Sequence, residues 1–444
     1  MSAPRRLDGA VAVTQVTGPL IDLGELRHGP DDDRLPRPPL DKGRPLRCAV
    51  VLLLLLVSLA GAGPHPRREV LALPGRLGAD ALVTSDLFVL VEPLSGPSAQ
   101  RRLTAIRLPG GEPAWQASLP AEGRYWGIAQ QGDMLLATGH ETGPDRRGTL
   151  TVALDRRTGA YRWQQPGSPS LLADGNLLLH SVGDDGGTLR ALDPCCGTVR
   201  WQVPIVAGGE FSFRDGEHGV DRVVLSHANG PIEVLDGTTG AVLARTELAA
   251  TVSGAHTGVQ IVDDLLLTFG GSPTMITAYG LDGLDQRWRT PADEALYASD
   301  CGTAVCLQNR SGGLRVVDAA TGRRLWGSDR WAWVWPSAGR LLATTVSSAG
   351  PGAEQLSVLD PQTGRMLADL GRWELAQFPW GGPTIGVRRH PDGGLLVADL
   401  DVRAGTVRLL DVLPDTAGEC QAVVTGQLLC RRQDASFALW RLPV

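Results

Sequence analysis

The stretch "ALDRRTGAYRW", residues 153–163, decides the fold. It begins apolar, turns on Asp155 and Gly159, and resumes with Trp163. An aspartate at the start of a turn accepts hydrogen bonds from the backbone amides that follow, and a glycine supplies the positive φ that closes it. The segment therefore reads as a strand, a tight turn and an outward strand, with the tryptophan ring free to pack against a neighbouring unit.

The stretch recurs. "ALDPCCGTVRW" ends at Trp201 and "VVDAATGRRLW" at Trp326, carrying Asp193 and Gly197, and Asp318 and Gly322. Weaker copies are "VLDGTTGAVLA" ending at Ala244, with Asp236 and Gly240, and "VLDPQTGRMLA" ending at Ala368, with Asp360 and Gly364. "DLDVRAGTVRL" ends at Leu409, while "AIRLPGGEPAW" and "AYGLDGLDQRW" keep Trp115 and Trp288 but lose the aspartate. Successive end positions lie 48, 38, 43, 44, 38, 42 and 41 residues apart. A period of about 42 residues holds four short strands with their turns, the size of a propeller blade.

The pattern A-x-D-x-x-x-G-x-x-x-W resembles the tryptophan-docking repeat of the pyrroloquinoline-quinone (PQQ)-like β-propellers, seen best in Ala153, Asp155, Gly159 and Trp163, and in Ala191, Asp193, Gly197 and Trp201. The resemblance covers nearly all of 68–444 and implies an all-β propeller of eight or nine four-stranded blades. It is specific for fold and weak for function, because such propellers include quinoprotein dehydrogenases, outer-membrane assembly scaffolds and membrane-attached modules. The final segment from Cys420 supplies three strands, and "REVLALPG" (68–75) begins with an orphan strand. Joining the chain ends in one blade would remove the open edge.

Composition agrees with an all-β domain: 56 glycines, 31 prolines and 12 tryptophans in 444 residues. The net charge is -6, and Lys42 is the only lysine, a bias typical of a high-GC bacterial genome. There is no basic footprint for nucleic acid. Residues 1–47 mix charge and proline without a period and read as a disordered cytoplasmic tail, in which Asp31, Asp32 and Asp33 are a solvated charge run.

"CAVVLLLLLVSLAGAG", 48–63, is uncharged and as a helix spans about 24 Å against a hydrocarbon core of roughly 30 Å. Basic residues concentrate before it, which orients a single-pass anchor with the propeller outside the bacterial cell membrane. Ala60-Gly61-Ala62 also resembles a cleavage site, so retention and removal are both open; either exports the domain.

Six cysteines lie beyond the apolar segment. Cys420 and Cys430 flank a hairpin and fall opposite one another, within disulfide reach, and Cys301 and Cys306 close "CGTAVC". Cys195 and Cys196 then pair with each other or stay reduced. In quinoprotein dehydrogenases an adjacent cysteine pair stands over the cofactor on an elaborated loop; here it occupies the repeat turn, and no calcium-ligand cluster stands out, so no cofactor is expected, PQQ included. Scattered histidines such as His180 and His227 show no metal-site spacing.

In "DRWAWVWPSAG", Trp331, Trp333 and Trp335 alternate and would share one side of a strand, either as inter-blade packing or as a surface for a partner or carbohydrate. No catalytic constellation is legible. The expectation is a non-catalytic, membrane-anchored, extracytoplasmic scaffold for a protein or cell-envelope ligand. Its alternatives are an envelope enzyme with a channel site, quinone-dependent or glycan-active, and an extracytoplasmic sensor.

Overall fold

The computed structural model describes residues 49–54 and 71–443 apart from 93–99, 121–122, 142–147, 184, 228–229, 248–257, 271–272, 346–352, 377–382, 392 and 424–425. Two compact units divide the chain, Met1–Pro66 and Arg67–Val444. The expected tail, 1–47, lies outside the described residues. Of 48–63, residues 49–54 are described; they are helical, with Val50, Val51, Leu52, Leu53 and Leu54 exposed. Among the described residues no helix is long and apolar enough to cross a membrane.

The second unit is all-β, with strands joined antiparallel in eight sheets, seven of four strands and one of seven. Chain order and spatial order coincide within every sheet except the one that joins the two chain ends. Blades 1 to 6 span 80–118, 123–166, 168–205, 210–246, 259–291 and 295–328. In the seven-stranded sheet, the strand Met366–Leu375 belongs to two blades. Its residues up to Trp373 pair with Glu354–Leu359 and close blade 7 (331–373). Its last two, Glu374 and Leu375, pair with Val387 and Gly386 and open blade 8 (374–413).

Blade 9 closes the count. It joins Thr416–Val423, Gln427–Arg432 and Phe437–Arg441 to the N-terminal strand Leu71–Leu73, whose Leu71 lies opposite Leu439 and Leu73 opposite Phe437. The two chain ends thus share one sheet, and the weak unit near 376–409 is a blade in its own right.

Successive side chains on a strand point to opposite faces, so each middle strand of a blade feeds two seams. In blade 7, Leu341 and Ala343 face blade 6, while Leu342 faces blade 8. This explains the near-continuous apolar runs of the second strands: Leu87–Val91 is buried throughout. Nine apolar clusters follow, each drawn from two adjacent blades. The ninth joins Phe88, Leu90 and Ile106 of blade 1 to Leu429, Phe437 and Leu439 of blade 9, so the seams form a closed ring. First strands of successive blades touch, as Asp80–Val83 does Gly123–Gln131 and Val259–Val262 does Ala295–Asp300, which places them at the inside of the ring.

Candidate functional site

The repeat residues act across the seams. Trp163 lies opposite Ala153 of its own blade, as Trp201 lies opposite Ala191 and Trp288 opposite Ala278. A register shift follows each pair immediately, and the small partner leaves room for the indole. The ring then reaches the next blade's turn, where its Nε1 donates to a backbone carbonyl. Trp115 donates to Arg156 O at 2.9 Å, Trp163 to Pro194 O at 2.8 Å and Trp201 to Thr238 O at 3.0 Å. Trp288 and Trp326 do the same to Ala319 O and Pro361 O, at 2.8 and 2.9 Å.

The glycine of each receiving turn lies against that ring. At Gly240 (φ +70°) an added Cβ would sit 2.7 Å from Trp201 Cδ2, and at Gly197 (φ +69°) 2.7 Å from Trp163 Cγ. Gly159, Gly322 and Gly364 meet Trp115, Trp288 and Trp326 in the same way. In one seam both the tryptophan and the glycine are replaced. Blade 4 ends at Ala244, and the facing turn of blade 5 carries Leu284 at φ +53°, buried in the seam with Ala244 beside it. A leucine fills the volume that an indole fills elsewhere.

The aspartates hold these turns. Asp155 accepts from the amides of Arg157 and Thr158, from the Thr158 hydroxyl at 2.9 Å and from Arg162 at 2.6 Å; these bonds bring its pKa down from 3.8 to about 2. Asp236, Asp318 and Asp360 are held below the usual carboxylate range chiefly by the hydroxyls of Thr238, Thr321 and Thr363. These carboxylates are committed to structure.

Blade 3 departs from this pattern. Cys196 stands where Thr158, Thr321 and Thr363 stand in other turns, and Asp193 accepts instead from the Cys195 amide at 3.0 Å and from Arg200 at 3.2 Å. The two exposed sulfurs lie 2.6 Å apart, and the Thr198 hydroxyl donates to Cys196 Sγ at 3.4 Å. Contact with Cys196 and with Asp193 pushes the Cys195 thiol up to about 12, while the same contact and Thr198 pull Cys196 down. Asp193, Cys195 and Cys196 are the one group of three side chains among the described residues that brings potential metal-ligating atoms together, within 4.8 Å.

The other cysteines are paired. Cys301 and Cys306 form a disulfide across a tight turn, with Cα atoms 5.7 Å apart, and Cys420 and Cys430 form another across adjacent strands at 4.2 Å. His180 is half-buried against Phe211 and Phe213 of blade 4, and this desolvation lowers its pKa. His227 lies 3.6 Å from Glu233.

The tryptophan triplet does not share one side. The register of Trp331–Ser337 shifts between Trp331 and Trp333, so the intervening Ala332 breaks the alternation. Trp331 and Val334 enter the core at 3% exposure each, leaving Trp333 and Trp335 exposed at 49% and 39%. The first strands of blades 2 and 6 carry the same device. Shifts at Tyr125/Gly127 and Ala295/Tyr297 accompany exposed Trp126, Leu296 and Tyr297. This set of exposed aromatic and aliphatic side chains on first strands depends on bulges, which period-two reading of a sequence passes over.

Residues 99–251 and 228–371 match the family model described as outer membrane protein assembly factor BamB. The chain belongs to this family. No curated protein matches it. Among solved structures, BamB from Moraxella catarrhalis aligns over 84% of this chain and 96% of its own at 16% identity, with a TM-score of 0.42. The computationally designed Ika8 protein aligns over 72% of this chain and 96% of its own at 16% identity and a TM-score of 0.43. A europium-containing methanol dehydrogenase aligns over 81% and 82% at 14% identity and a TM-score of 0.39.

Proposed function

We propose that this BamB-family chain is a non-catalytic scaffold that holds a protein partner of the cell envelope, with 48–63 as its single-pass anchor and the propeller outside the membrane. The observation that carries the reading is the set Trp126, Leu296, Tyr297, Trp333 and Trp335, all exposed on first strands while the motif tryptophans are turned into seams. Amphipathic aromatic side chains on a rigid support are the usual anchors of protein interfaces, because they bury much area and lose little conformational freedom. The family's description as an assembly factor points the same way.

The test is photo-crosslinking in intact cells from probes at Trp333 and Trp335 in the full chain. A discrete crosslinked polypeptide, lost on Trp126→Ala/Tyr297→Ala substitution on the first strands of blades 2 and 6, supports the reading. Its persistence in that variant, or saturable dye reduction by the purified chain with PQQ and calcium, overturns it. Release of the protein from membranes on deleting 48–63 would support the anchor; unchanged sedimentation with membranes would remove it.

A further inference from the structure

In blade 3 the turn gives up a hydrogen bond that its counterparts keep. Thr158, Thr239, Thr321 and Thr363 each donate a hydroxyl to the turn aspartate, at 2.9, 2.9, 2.6 and 3.0 Å. Cys196 in that place turns its sulfur to Cys195 instead, at 2.6 Å. The backbone beneath is pinned: Asp193 N donates to Thr198 O and Gly197 N to Asp193 O, both at 2.9 Å, and Pro194 O receives Trp163. Two exposed sulfurs are therefore presented in contact on a fixed support.

We propose that Cys195 and Cys196 form a thiol–disulfide exchange site, a vicinal dithiol that reduces an incoming disulfide and closes into a disulfide within the turn. A sulfur–sulfur bond measures about 2.05 Å, so closure needs a sulfur displacement of roughly half an ångström. A tetrahedral cation bound at about 2.3 Å per thiolate would instead spread the sulfurs to nearly 3.8 Å, which disfavours a metal site as the resting use of this geometry. Adjacent Cα atoms are about 3.8 Å apart, below the common disulfide range, so the closed ring is strained as well as exposed, and strained exposed disulfides are the readily reversible ones.

The step balances within the pair and its co-reactant. The Cys196 thiolate attacks one sulfur of the incoming disulfide, forms a mixed disulfide and expels the first thiolate. Cys195, losing its proton, then attacks the Cys196 sulfur and expels the second. Two electrons pass from the two cysteines to the incoming disulfide, and the two released thiolates take up the two protons. The roles follow from the surroundings: Thr198 and Cys195 donate to the Cys196 sulfur and favour its thiolate, while Cys195 next to Asp193 keeps its proton until the second step.

The experiment equilibrates the purified full chain with graded ratios of reduced and oxidised glutathione, quenches in acid, alkylates, and follows the tryptic peptide 191–200, which holds both cysteines. The expected result is one two-electron transition from the doubly alkylated peptide to an unalkylated ring lacking two hydrogens, about 30 mV for each tenfold change in equilibrium constant. The buried pairs Cys301–Cys306 and Cys420–Cys430 should stay closed over the same range. Cys195→Ser should trap glutathione on Cys196, and Cys196→Ser should trap it on Cys195, each as a mixed disulfide with no neighbouring thiol to resolve it. A peptide that is doubly alkylated at every ratio overturns the proposal. So does protection that a chelator removes without any loss of hydrogens, the mark of a bound metal, or failure of both single-cysteine variants to hold a glutathione adduct.

Discussion

Substituting Gly240 with alanine tests the docking of one blade onto the next. The residue has φ +70°, and its new Cβ would lie 2.7, 2.9 and 3.0 Å from Cδ2, Cγ and Cε3 of Trp201. Holding an alanine in the left-handed region costs about 1–2 kcal/mol. Forcing the indole away from a filled seam adds about 1–3 kcal/mol. The expected total is therefore about 2–5 kcal/mol. Gly132→Ala isolates the first contribution, because Gly132 has φ +56° with nothing within 4 Å of the added atom. Removing the ring should isolate the second: in a Trp201→Ala background Gly240→Ala should cost only the conformational share, leaving a coupling of about 1–3 kcal/mol in the double-mutant cycle. Urea unfolding of the full chain, followed by far-ultraviolet circular dichroism so that loss of a tryptophan does not alter the probe, measures all four proteins. If Gly240→Ala is no worse than Gly132→Ala, or costs the same with and without Trp201, the docking account fails. The Ala244 and Leu284 seam already shows the alternative solution in this chain, with a small residue facing a large one in reverse.

Three further outcomes follow from the same structure. Asp155 titrates at about 2 in the folded chain against 3.8 unfolded, so its contribution is fully present above pH 4 and is lost as pH falls towards 2; the stability difference between wild type and Asp155→Asn, measured by thermal melts across that window, should close on acidification, and a constant difference would refute the assignment. Trp331→Ala should destabilise by about 3–5 kcal/mol, whereas Trp333→Ala and Trp335→Ala should each stay within about 0.5 kcal/mol, an ordering that denaturant midpoints would reverse if all three shared one face. Replacing both Cys301 and Cys306 with alanine should cost about 2 kcal/mol, and both Cys420 and Cys430 nearly 3, from the entropy of the loops they close; calorimetric midpoints unmoved in both variants would show that these bonds do not constrain the unfolded chain.

Much of the fold was legible because the turn residues answer to local constraints. Asp155, Gly159 and their counterparts must satisfy a tight turn wherever it is placed, so they recur visibly, and the spacing of their copies measures a blade. The extra blade was harder to read, since Met366–Leu375 leaves no loop between blades 7 and 8 and the masking of one boundary by a continuous strand looks like a weak repeat. Joining of the chain ends could be foreseen from an unpaired strand at each. The second duty of the glycines could not, because the ring that excludes a side chain belongs to another blade.

The surface shows the same division. Alternation predicts Trp331, Trp333 and Trp335 on one side, but the shift at Ala332 sends Trp331 into the seam with blade 6 and leaves the other two exposed. A bulge depends on how two strands settle against each other and carries no fixed residue code. Cys195 and Cys196 could be placed on a turn from the repeat alone, while their sulfur contact and their separate relations to Asp193 and Thr198 required coordinates.

By itself the sequence determined the repeating strand–turn–strand unit and its length, because those depend on backbone conformation and on contacts between near neighbours, and it pointed to the pairing of the chain ends because an incomplete blade leaves an open edge. The tertiary structure alone decided which ring lies on which glycine, which tryptophan is buried and where two blades share a strand. Those outcomes depend on packing between segments about 40 residues apart, where the shape of one blade sets the space available to the next.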